Sequence, residues 1–299
     1  MEGCHLAALI VSRDSSFYYS FLVLPNRKRR AIIAVWDFCR AVDDAIDLPT
    51  VDGAMTDRTA TVLESTLAGW RREVDCCFTE KEPLTVQGRR LKPYVRQFNL
   101  PRKPLEDLVE GVKMDIHSRR YETFDELYEY CLRVASSVGL ICIEIFGYCN
   151  KRAQDYAINL GVALQLTNII RDLPTDLEAG RLYFPLEDLR RFGCSPEVLR
   201  QGMSSAVHEL IRFECQRARN FYRAATYLIP SEDKKNLVAA EIMGAIYLEI
   251  LKRIERRGYD VFSEVVRVPR PRRAMIAAIV WSQTILCSLY KSVTMRRGT

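Results

Sequence analysis

The sequence predicts an all-α protein, and three observations carry that prediction. Apolar residues recur every three to four positions through most of the 299 residues, which is the spacing of one face of an α-helix. Alternating patterns typical of strands are nearly absent, with residues 261–268 as the only candidate strand. Glycine (14) and proline (12) are sparse and form no linker. We therefore expect one domain over residues 1–299, a bundle of ten or so helices, with residues 1–13 and 291–299 as candidate flexible ends.

Six segments carry the helical pattern most clearly, and in chain order they are residues 30–46, 105–117, 124–148, 153–172, 207–228 and 236–257. In the first segment Ile32 and Trp36 belong to one broad apolar stripe, and the second segment repeats that pattern. The third is long and apolar, and Gly139 and Gly147 allow it to pack closely against a neighbour. The last segment ends at Gly258, a residue type favoured just after a helix terminus.

Composition narrows the class of protein. With 48% hydrophobic residues, a chain of this length can bury roughly three quarters of its unfolded surface. Ten scattered cysteines without a C-x-x-C motif, and only three histidines, argue against a zinc site and favour reduced cysteines in the cytoplasm. The net charge of +6 fits an anionic substrate or an anionic membrane surface better than nucleic acid, because no basic and aromatic module is present.

The two ends of the chain bear on localisation. Residues 6–11 are too short an apolar run, without a basic flank, for a signal peptide. Residues 274–290 carry no charge, and this length is at the short limit for a membrane span. We interpret the segment as a buried last helix, with a helix on the membrane surface as the alternative. We expect a cytoplasmic protein, and peripheral contact with the inner face of the membrane stays open. The oligomeric state is not fixed by the sequence.

Two aspartate pairs dominate the polar pattern. Asp43 and Asp47 form one pair and Asp172 and Asp176 the other, and in each pair the residues are four positions apart. Residues at this spacing share a helix face, where two carboxylates repel unless a cation lies between them. Carboxylate oxygens suit Mg²⁺, which commonly bridges one or two carboxylates to substrate phosphates. Two such faces opposite each other would form a clamp for a metal–diphosphate complex.

The residues around each pair bear on whether it forms a site or a solvated surface. Four polar residues share one face of an otherwise apolar segment: Gln165, Asn168, Asp172 and Asp176. Such a stripe either faces water or lines a polar site, and Asn168, a poor helix former, favours the site. In the first segment Arg40 precedes Asp43 by three residues and Asp44 by four, so an ordinary surface ion pair is the alternative. The apolar neighbours Phe38 and Val42 favour a site. Each stripe alone is weak evidence, and the two together favour the clamp.

Two further features have an ordinary and a functional interpretation. Tyr130 lies on an apolar face, where a tyrosine is usually a core residue with a hydrogen-bonded hydroxyl. Its functional alternative is to orient a diphosphate or to stabilise a cation. Residues 14–17 resemble a helix N-terminus, which is able to bind phosphate oxygens directly.

Several motifs, in order, resemble the squalene/phytoene synthase family. They are Ser16-Phe17 followed by Leu24-Pro25, residues 38–44, Tyr130-Cys131 with Val134-Ala135, residues 164–172 and residues 180–185. The resemblance extends from Ser15 to about Arg273, nearly the whole chain. It implies the all-α isoprenoid synthase fold, with a central cavity closed by two aspartate-rich helices.

The resemblance also implies roles for individual residues. It implies that two or three Mg²⁺ ions and the diphosphates are held by Asp43, Asp47, Asn168, Asp172 and Asp176. It implies that the substrate is contacted by Ser16, Phe17, Arg40, Gln165, Asn168, Arg171 and Tyr247. Tyr130 matches the catalytic tyrosine of the family, which replaces the core interpretation given above. The chain departs from the family at Trp36, where a tyrosine is usual, and at Pro174, which predicts a kink just after Asp172.

Within the family, residues 130–139 are similar to the bacterial presqualene diphosphate synthases of hopanoid pathways, which carry Arg-Val-Ala-Ser before this Val-Gly. That similarity implies a Mg²⁺-dependent head-to-head (1′-2-3) condensation of two farnesyl diphosphates to presqualene diphosphate. NADPH is not expected, because no glycine-rich dinucleotide turn is found.

Other activities stay open. Phytoene synthase acts on two C20 diphosphates with the same residues, and dehydrosqualene or squalene synthase acts on C15 diphosphates. A head-to-tail prenyl elongase or a terpene cyclase shares the fold but differs in the second acidic motif. The non-enzymatic alternative is a lipid-binding assembly factor, and the four retained carboxylates argue against it.

Overall fold

The computed structural model describes residues 17–45, 57–117 and 120–296. The α-helices are α1 (Tyr18–Leu22), α2 (Asn26–Asp44), α3 (Asp57–Phe78), α4 (Val86–Gln97), α5 (Arg102–His117), α6 (Phe124–Cys131), α7 (Ser137–Phe146), α8 (Arg152–Arg171), α9 (Leu173–Glu178), α10 (Leu186–Arg191), α11 (Pro196–Arg200), α12 (Ser205–Leu228), α13 (Val238–Arg256) and α14 (Arg270–Arg296). Within these ranges there is no β-strand, only an isolated bridge between Arg120 and Leu182. The all-α prediction is confirmed.

The segment over residues 261–268 is not a strand, so that expectation was wrong. It connects α13 to α14 without regular structure. Its apolar residues Val261, Val266 and Val268 are buried in the core. They therefore fix a connecting loop to the bundle, and their spacing imitates the pattern of a half-buried strand. The expected stop at Gly258 is confirmed, since this glycine follows α13 with a φ of 64°.

Helix α8 lies at the centre of the bundle. It packs against α12, α7, α13 and the turn that precedes α7, and buried residues occur on nearly all of its sides. Gly161 permits the closest of these approaches, because a Cβ there would lie 2.8 Å from the backbone nitrogen of Ser136. The polar residues at the end of α8 are therefore held by a helix that has little freedom to move.

The expected long helix over residues 124–148 is interrupted. A π-helical turn, Leu132–Ser136, lies between α6 and α7, and such turns insert one extra residue into a helix. Gly139 packs closely as expected, since a Cβ there would lie 3.1 Å from the backbone oxygen of Ala157. Gly147 instead ends α7 with a φ of 77°. The interruption begins two residues after Tyr130 and sets the directions of the residues on either side of it.

The expected kink after Asp172 is confirmed. Helix α8 ends at Arg171, and α9 begins at Leu173 with Pro174 in its first turn. Asp172 joins the two helices with φ −95° and ψ 5°, a sparsely populated conformation often found at active sites. The backbone N–H of Asp176 donates to the Asp172 carbonyl at 2.9 Å. Asp172 therefore lies at the junction between the two helices, and Asp176 lies in the first turn of α9.

Helix α14 is only half buried. Ile276, Ala277 and Val280 pack against α13 and α1, but Met275 and Ile279 on the other side are exposed. The interpretation of this segment as a buried last helix is therefore wrong for its outer side. None of the helices in the described part of the chain is long and apolar enough to cross a membrane.

Candidate active site

A cavity of about 960 Å³ lies inside the bundle, and α1, α2, α5, α6, α7, α8 and α13 contribute to its walls. Its apolar lining includes Phe21, Leu108, Val112, Val138, Phe146 and Met243. Its polar lining includes Arg40, Asp43, Asn168, Arg171, Asp172 and Asp176. The cavity thus joins an apolar chamber to a set of charged groups, which suits a ligand with an apolar chain and an anionic head group.

Both acidic segments reach this one cavity. Asp43 lines it from α2, and Asp172 and Asp176 line it from the α8–α9 junction. The remaining aspartate of the first pair, Asp47, and the expected substrate contact Ser16 lie outside the described residues. The sequence pattern alone could not establish that the two acidic segments meet, because they are about 130 positions apart in the chain.

The first acidic segment is solvated. Asp43 and Asp44 occupy the exposed last turn of α2, while Phe38 and Val42 anchor the helix in the core. Arg40 lies 3.5 Å from Asp44, with side chains 57% and 60% exposed. The surface ion pair weighed as an alternative therefore exists, and it involves Asp44, whereas Asp43 lines the cavity.

The second acidic segment is partly buried. The Arg171 guanidinium donates two hydrogen bonds to the Asp172 carboxylate, at 2.8 Å from Nε and 2.5 Å from Nη2. Burial, and then the charge of Asp172, raise the pKa of Asp176 to about 7. The charges of Arg181 and Arg171 oppose this rise without cancelling it. A bound cation beside the two carboxylates would favour the ionised form of Asp176.

The residues at this end of the cavity fit Mg²⁺. The side-chain oxygen of Asn168 is buried and accepts no hydrogen bond from the described residues. It lines the same cavity as Asp43 and Asp172, and all three offer the oxygen ligands that Mg²⁺ prefers. No three His, Cys, Asp or Glu side chains in the described ranges form a metal site by themselves. Waters and substrate phosphate oxygens commonly complete the coordination of Mg²⁺.

A partly buried carboxylate that the sequence patterns missed lies beside the second segment. Asp115 on α5 accepts a hydrogen bond from the Tyr130 hydroxyl at 2.9 Å and another from the Tyr183 hydroxyl at 2.7 Å. Both tyrosines line the cavity, and their rings stack with centroids 5.3 Å apart. Leu108 and Val112 line the cavity from the same helix, seven and three residues before Asp115. Asp115 continues the apolar stripe formed by these two residues, and a carboxylate at such a position was the signal in the sequence that could have identified it.

Burial controls the protonation of this cluster. It raises the pKa of Asp115 to about 6, although the hydrogen bonds from Tyr183 and Tyr130 oppose the shift. Burial also raises the pKa of Tyr130 well above its ordinary value, with Asp115 adding to the effect. Tyr130 is therefore a protonated hydroxyl at neutral pH, and its proton is directed at the Asp115 carboxylate.

The remaining expected substrate contacts also lie at the cavity. Phe17 and Trp36 have ring centroids 4.0 Å apart, and the Tyr247 ring meets Phe17 edge-on at 6.1 Å. All three rings and Gln165 line the cavity. Trp36, which departs from the family pattern, thus extends an aromatic wall near the charged end.

Comparisons with known proteins agree with this architecture. The profile of the Squalene/phytoene synthase family matches residues 10–273. The chain is 35% identical over 281 residues to a 15-cis-phytoene synthase of Synechocystis sp., covering 89% of this chain and 80% of that protein.

Two solved structures share the fold. A dehydrosqualene synthase, crystallised with a ligand, is 30% identical with a TM-score of 0.73, covering 90% of this chain and 91% of that one. The squalene synthase HpnC from Alicyclobacillus acidocaldarius is 27% identical with a TM-score of 0.71, covering 82% of this chain and 90% of that one. The family resemblance is confirmed, and the chain belongs to the squalene/phytoene synthase family of prenyltransferase-type enzymes.

Proposed function

We propose that this enzyme condenses two farnesyl diphosphates head-to-head to presqualene diphosphate. The observation that supports the proposal best is the division of the cavity into an apolar chamber and a carboxylate-rich end with two arginines. A prenyl diphosphate has the same division, an apolar chain joined to a diphosphate. The choice of the C15 substrate rests on residues 130–139, which are similar to presqualene diphosphate synthases.

The charged end would hold the diphosphates. In this proposal Asp43, Asp47, Asn168, Asp172 and Asp176 are the ligands of two or three Mg²⁺ ions. When bound there, Mg²⁺ supplies Lewis-acid stabilisation of the leaving diphosphate. Arg40 and Arg171 line the same end and would donate charge-assisted hydrogen bonds to diphosphate oxygens. Ser16 would add a further contact.

The apolar and aromatic walls would protect the allylic cation that remains when the C1–O bond breaks. Water in the chamber would quench this cation, and the apolar side chains that line the chamber would disfavour its entry. The rings of Phe17, Tyr130 and Tyr247 line the cavity, and each aromatic face is able to stabilise positive charge by about 0.5–2 kcal/mol. The cation then alkylates the C2=C3 bond of the second molecule.

Proton loss completes the cyclopropane, and the Asp115 cluster is suited to this step. In the proposal Tyr130 Oη takes up the proton that leaves carbon, and its own proton passes to Asp115 Oδ2, 2.9 Å away. The pKa of Asp115, raised to about 6 by burial, makes this carboxylate a better acceptor than an ordinary aspartate. Tyr183 holds the other Asp115 oxygen in place.

Phytoene synthase is the second candidate, and one observation favours it. The relative at 35% identity is named 15-cis-phytoene synthase, and an enzyme with that name joins C20 chains. The same residues would perform the chemistry, so the two candidates differ in the length of chain that the apolar chamber accepts.

Incubation of the purified protein with C15 or C20 diphosphate, with Mg²⁺ and with or without NADPH, tests the proposal. We expect mass spectrometry to show presqualene diphosphate from the C15 substrate, unchanged by NADPH. Reactions with excess chelator, and with Asp172→Ala, serve as controls that should give no product. A C40 product from the C20 substrate alone would establish the second candidate, and no product from either substrate would overturn both.

A further inference from the structure

We propose that Tyr156, held in place by Glu241, closes the far end of the apolar chamber and thereby limits the length of the prenyl chain that the enzyme accepts. The proposal concerns the chain of the same diphosphate substrate and therefore rests on the proposed function. It draws on the position of Tyr156 along α8, on where the neighbouring helices cease to line the cavity, and on the hydrogen bond that fixes the ring.

Tyr156 lies at the opposite end of the cavity from the carboxylates. Helix α8 lines the cavity from Tyr156, near its start, to Asp172 at its end. These two residues are 16 positions apart, which corresponds to about 24 Å along the axis of a helix. Ala153, about one turn before Tyr156, is fully buried but does not line the cavity. On this helix the cavity therefore ends at Tyr156.

The neighbouring helices show where the chamber is closed. Phe146, the last residue of α7, lines the cavity, and its carbonyl oxygen accepts a hydrogen bond from the Lys28 ammonium. This bond holds the first turn of α2 against the end of α7, and the cavity lining on α2 begins one turn later at Ile32. On α13 the lining begins at Ala240, next to Glu241. The chamber is therefore closed where the starts of α2, α8 and α13 meet the end of α7.

The Tyr156 ring is fixed at both of its ends. Its backbone belongs to the central helix α8, and its hydroxyl donates a hydrogen bond to Glu241 Oε1 on α13, 2.9 Å away. Tyr156 is only 1% exposed, and a buried hydroxyl without a partner is costly. The bond to Glu241 thus restrains the ring from swinging aside when a longer chain enters.

A restrained ring at this place would control chain length. A C20 diphosphate is longer than a C15 diphosphate by one isoprene unit. With the diphosphate held at the carboxylates, the additional unit has to lie at the far end of the chamber. Protein interiors are closely packed, so that unit fits only where a side chain is removed or displaced. The phenol ring has more non-hydrogen atoms than an isoprene unit, so its removal would provide the room.

Substrate selectivity tests the proposal. We expect Tyr156→Ala to raise kcat/KM for the C20 diphosphate, relative to that for the C15 diphosphate, by at least about tenfold, since small changes of chain length in an apolar pocket change selectivity by such factors. Tyr156→Leu removes the ring but keeps an apolar side chain, so it should shift the ratio in the same direction. It replaces Tyr156→Ala if circular dichroism shows that the alanine variant does not fold.

The matched control is Tyr222→Ala. Tyr222 is also a buried tyrosine with a hydroxyl hydrogen-bonded to α8, 3.0 Å from Thr167 Oγ1, but it does not line the cavity. Its loss should lower the thermal unfolding temperature, as the loss of Tyr156 does, and leave the selectivity ratio at the parent value. An equal change of the ratio in both variants would assign the effect to loosening of α8 and overturn the proposal.

Glu241 is tested as a positioning residue. Glu241→Ala keeps the Tyr156 ring but removes its hydrogen-bond partner, so the ratio should rise by a smaller factor of about three. Glu241→Gln retains an oxygen that accepts the same hydrogen bond and should restore the parent ratio. If Glu241→Ala lowers the unfolding temperature without changing the ratio, Glu241 serves stability alone and its role in the proposal is wrong.

Binding measurements separate the closed end from the proposed function. Thiolodiphosphate analogues of the C15 and C20 substrates carry sulfur in place of the oxygen on C1 and ionise slowly, so calorimetry with Mg²⁺ measures their affinities without turnover. Tyr156→Ala should shift the relative affinity towards the C20 analogue by at least about tenfold. That shift in a protein without turnover would keep the closed end and remove the proposed function.

The converse result is equally decisive. Turnover of the C15 diphosphate, with the same selectivity ratio in the parent protein and in Tyr156→Ala, would keep the proposed function and overturn the closed end. If the parent protein uses the C20 diphosphate, the second candidate function applies, and the same comparison is made between the C20 and C25 diphosphates. An unchanged ratio there would overturn the proposal as well.

Discussion

The two acidic segments share a spacing of four residues between aspartates but lie in opposite environments. The first, at the end of α2, is exposed, and its ion pair between Arg40 and Asp44 is solvated. The second, at the α8–α9 junction, is partly buried, and the pKa of Asp176 is raised to about 7. The comparison teaches that one spacing can occur in two physical environments, as carboxylates exposed to water and as a charge cluster held partly out of it.

The fold explains the difference. Helix α2 carries Asp43 and Asp44 in its last turn, beyond its buried residues. Helix α8 is the central helix, and after the break at Asp172 the chain continues into α9, where Asp176 also lines the cavity. Electrostatic strain is therefore concentrated in the second segment, where a cation would relieve it most.

Removing one carboxylate from each segment should have the largest effect. Asp43→Asn and Asp172→Asn should each lower kcat by about a thousandfold, because metal-assisted departure of the diphosphate is worth several kcal/mol. Steady-state assays with farnesyl diphosphate measure this, and far-UV circular dichroism checks that both variants fold. If either variant keeps normal turnover with normal Mg²⁺ dependence, the clamp formed by the two segments is wrong.

Substitutions in the cluster of Asp115, Tyr130 and Tyr183 should have the next largest effect on kcat. Asp115→Asn should lower kcat by about a hundredfold, since it removes the proton acceptor and leaves Tyr130 and Tyr183 with a weaker partner. Tyr183→Phe keeps the carboxylate and removes one hydrogen bond, so about a tenfold loss is expected.

The pH profile distinguishes this role of Asp115 from a structural one. The parent kcat should fall as pH decreases through about 6, because protonated Asp115 cannot accept the Tyr130 proton. Asp115→Asn should lose that inflection while keeping a parent-like thermal unfolding transition. A variant that unfolds more readily but keeps the inflection would assign Asp115 to stability alone.

These residues also show how far the sequence could lead. The helices, the kink at Pro174 and the family motifs follow from local patterns, because periodicity, proline chemistry and motif order are all properties of short segments. Asp115 was missed because a single carboxylate on an amphipathic helix resembles a solvated residue until its partners are known. Tyr183 lies 68 residues from Asp115, and only the folded chain brings the two together. The π-helical turn likewise has no distinct periodicity over five residues.

The two acidic segments should contribute differently to the pH dependence of Mg²⁺ binding. Asp176 is mostly protonated below pH 7, since its pKa is raised to about 7, and a cation must displace that proton. Mg²⁺ affinity, measured by calorimetry in the presence of inorganic diphosphate, should therefore rise by about tenfold from pH 6 to pH 8. In Asp176→Asn this rise should become smaller, whereas in Asp43→Asn it should persist. An unchanged profile in Asp176→Asn would show that the exposed segment, or the ligand, controls the pH response.

Substitutions in the two segments should also differ in their effect on the free energy of unfolding. In the unfolded chain Asp176 ionises near its usual pKa of 3.8, and in the folded chain near 7, so its ionisation opposes folding increasingly between these values. With Mg²⁺ removed, Asp176→Asn should stabilise the fold at pH 8 by about 1–2 kcal/mol, and the gain should vanish near pH 4. Denaturant unfolding at both pH values measures this. Asp43→Asn, at an exposed position, is the comparison and should show no such gain.

The smallest expected effect belongs to the exposed ion pair. Asp44→Asn removes the partner of Arg40, but with both side chains more than half exposed and 3.5 Å apart, the pair contributes about 0–0.5 kcal/mol to stability. Turnover should stay within about threefold of the parent value, because Asp43 rather than Asp44 lines the cavity. The variant thus separates a carboxylate that serves the site from its immediate neighbour in the sequence. A large loss of turnover in Asp44→Asn, with Mg²⁺ dependence altered, would mean that the end of α2 rotates on binding substrate and presents Asp44 instead.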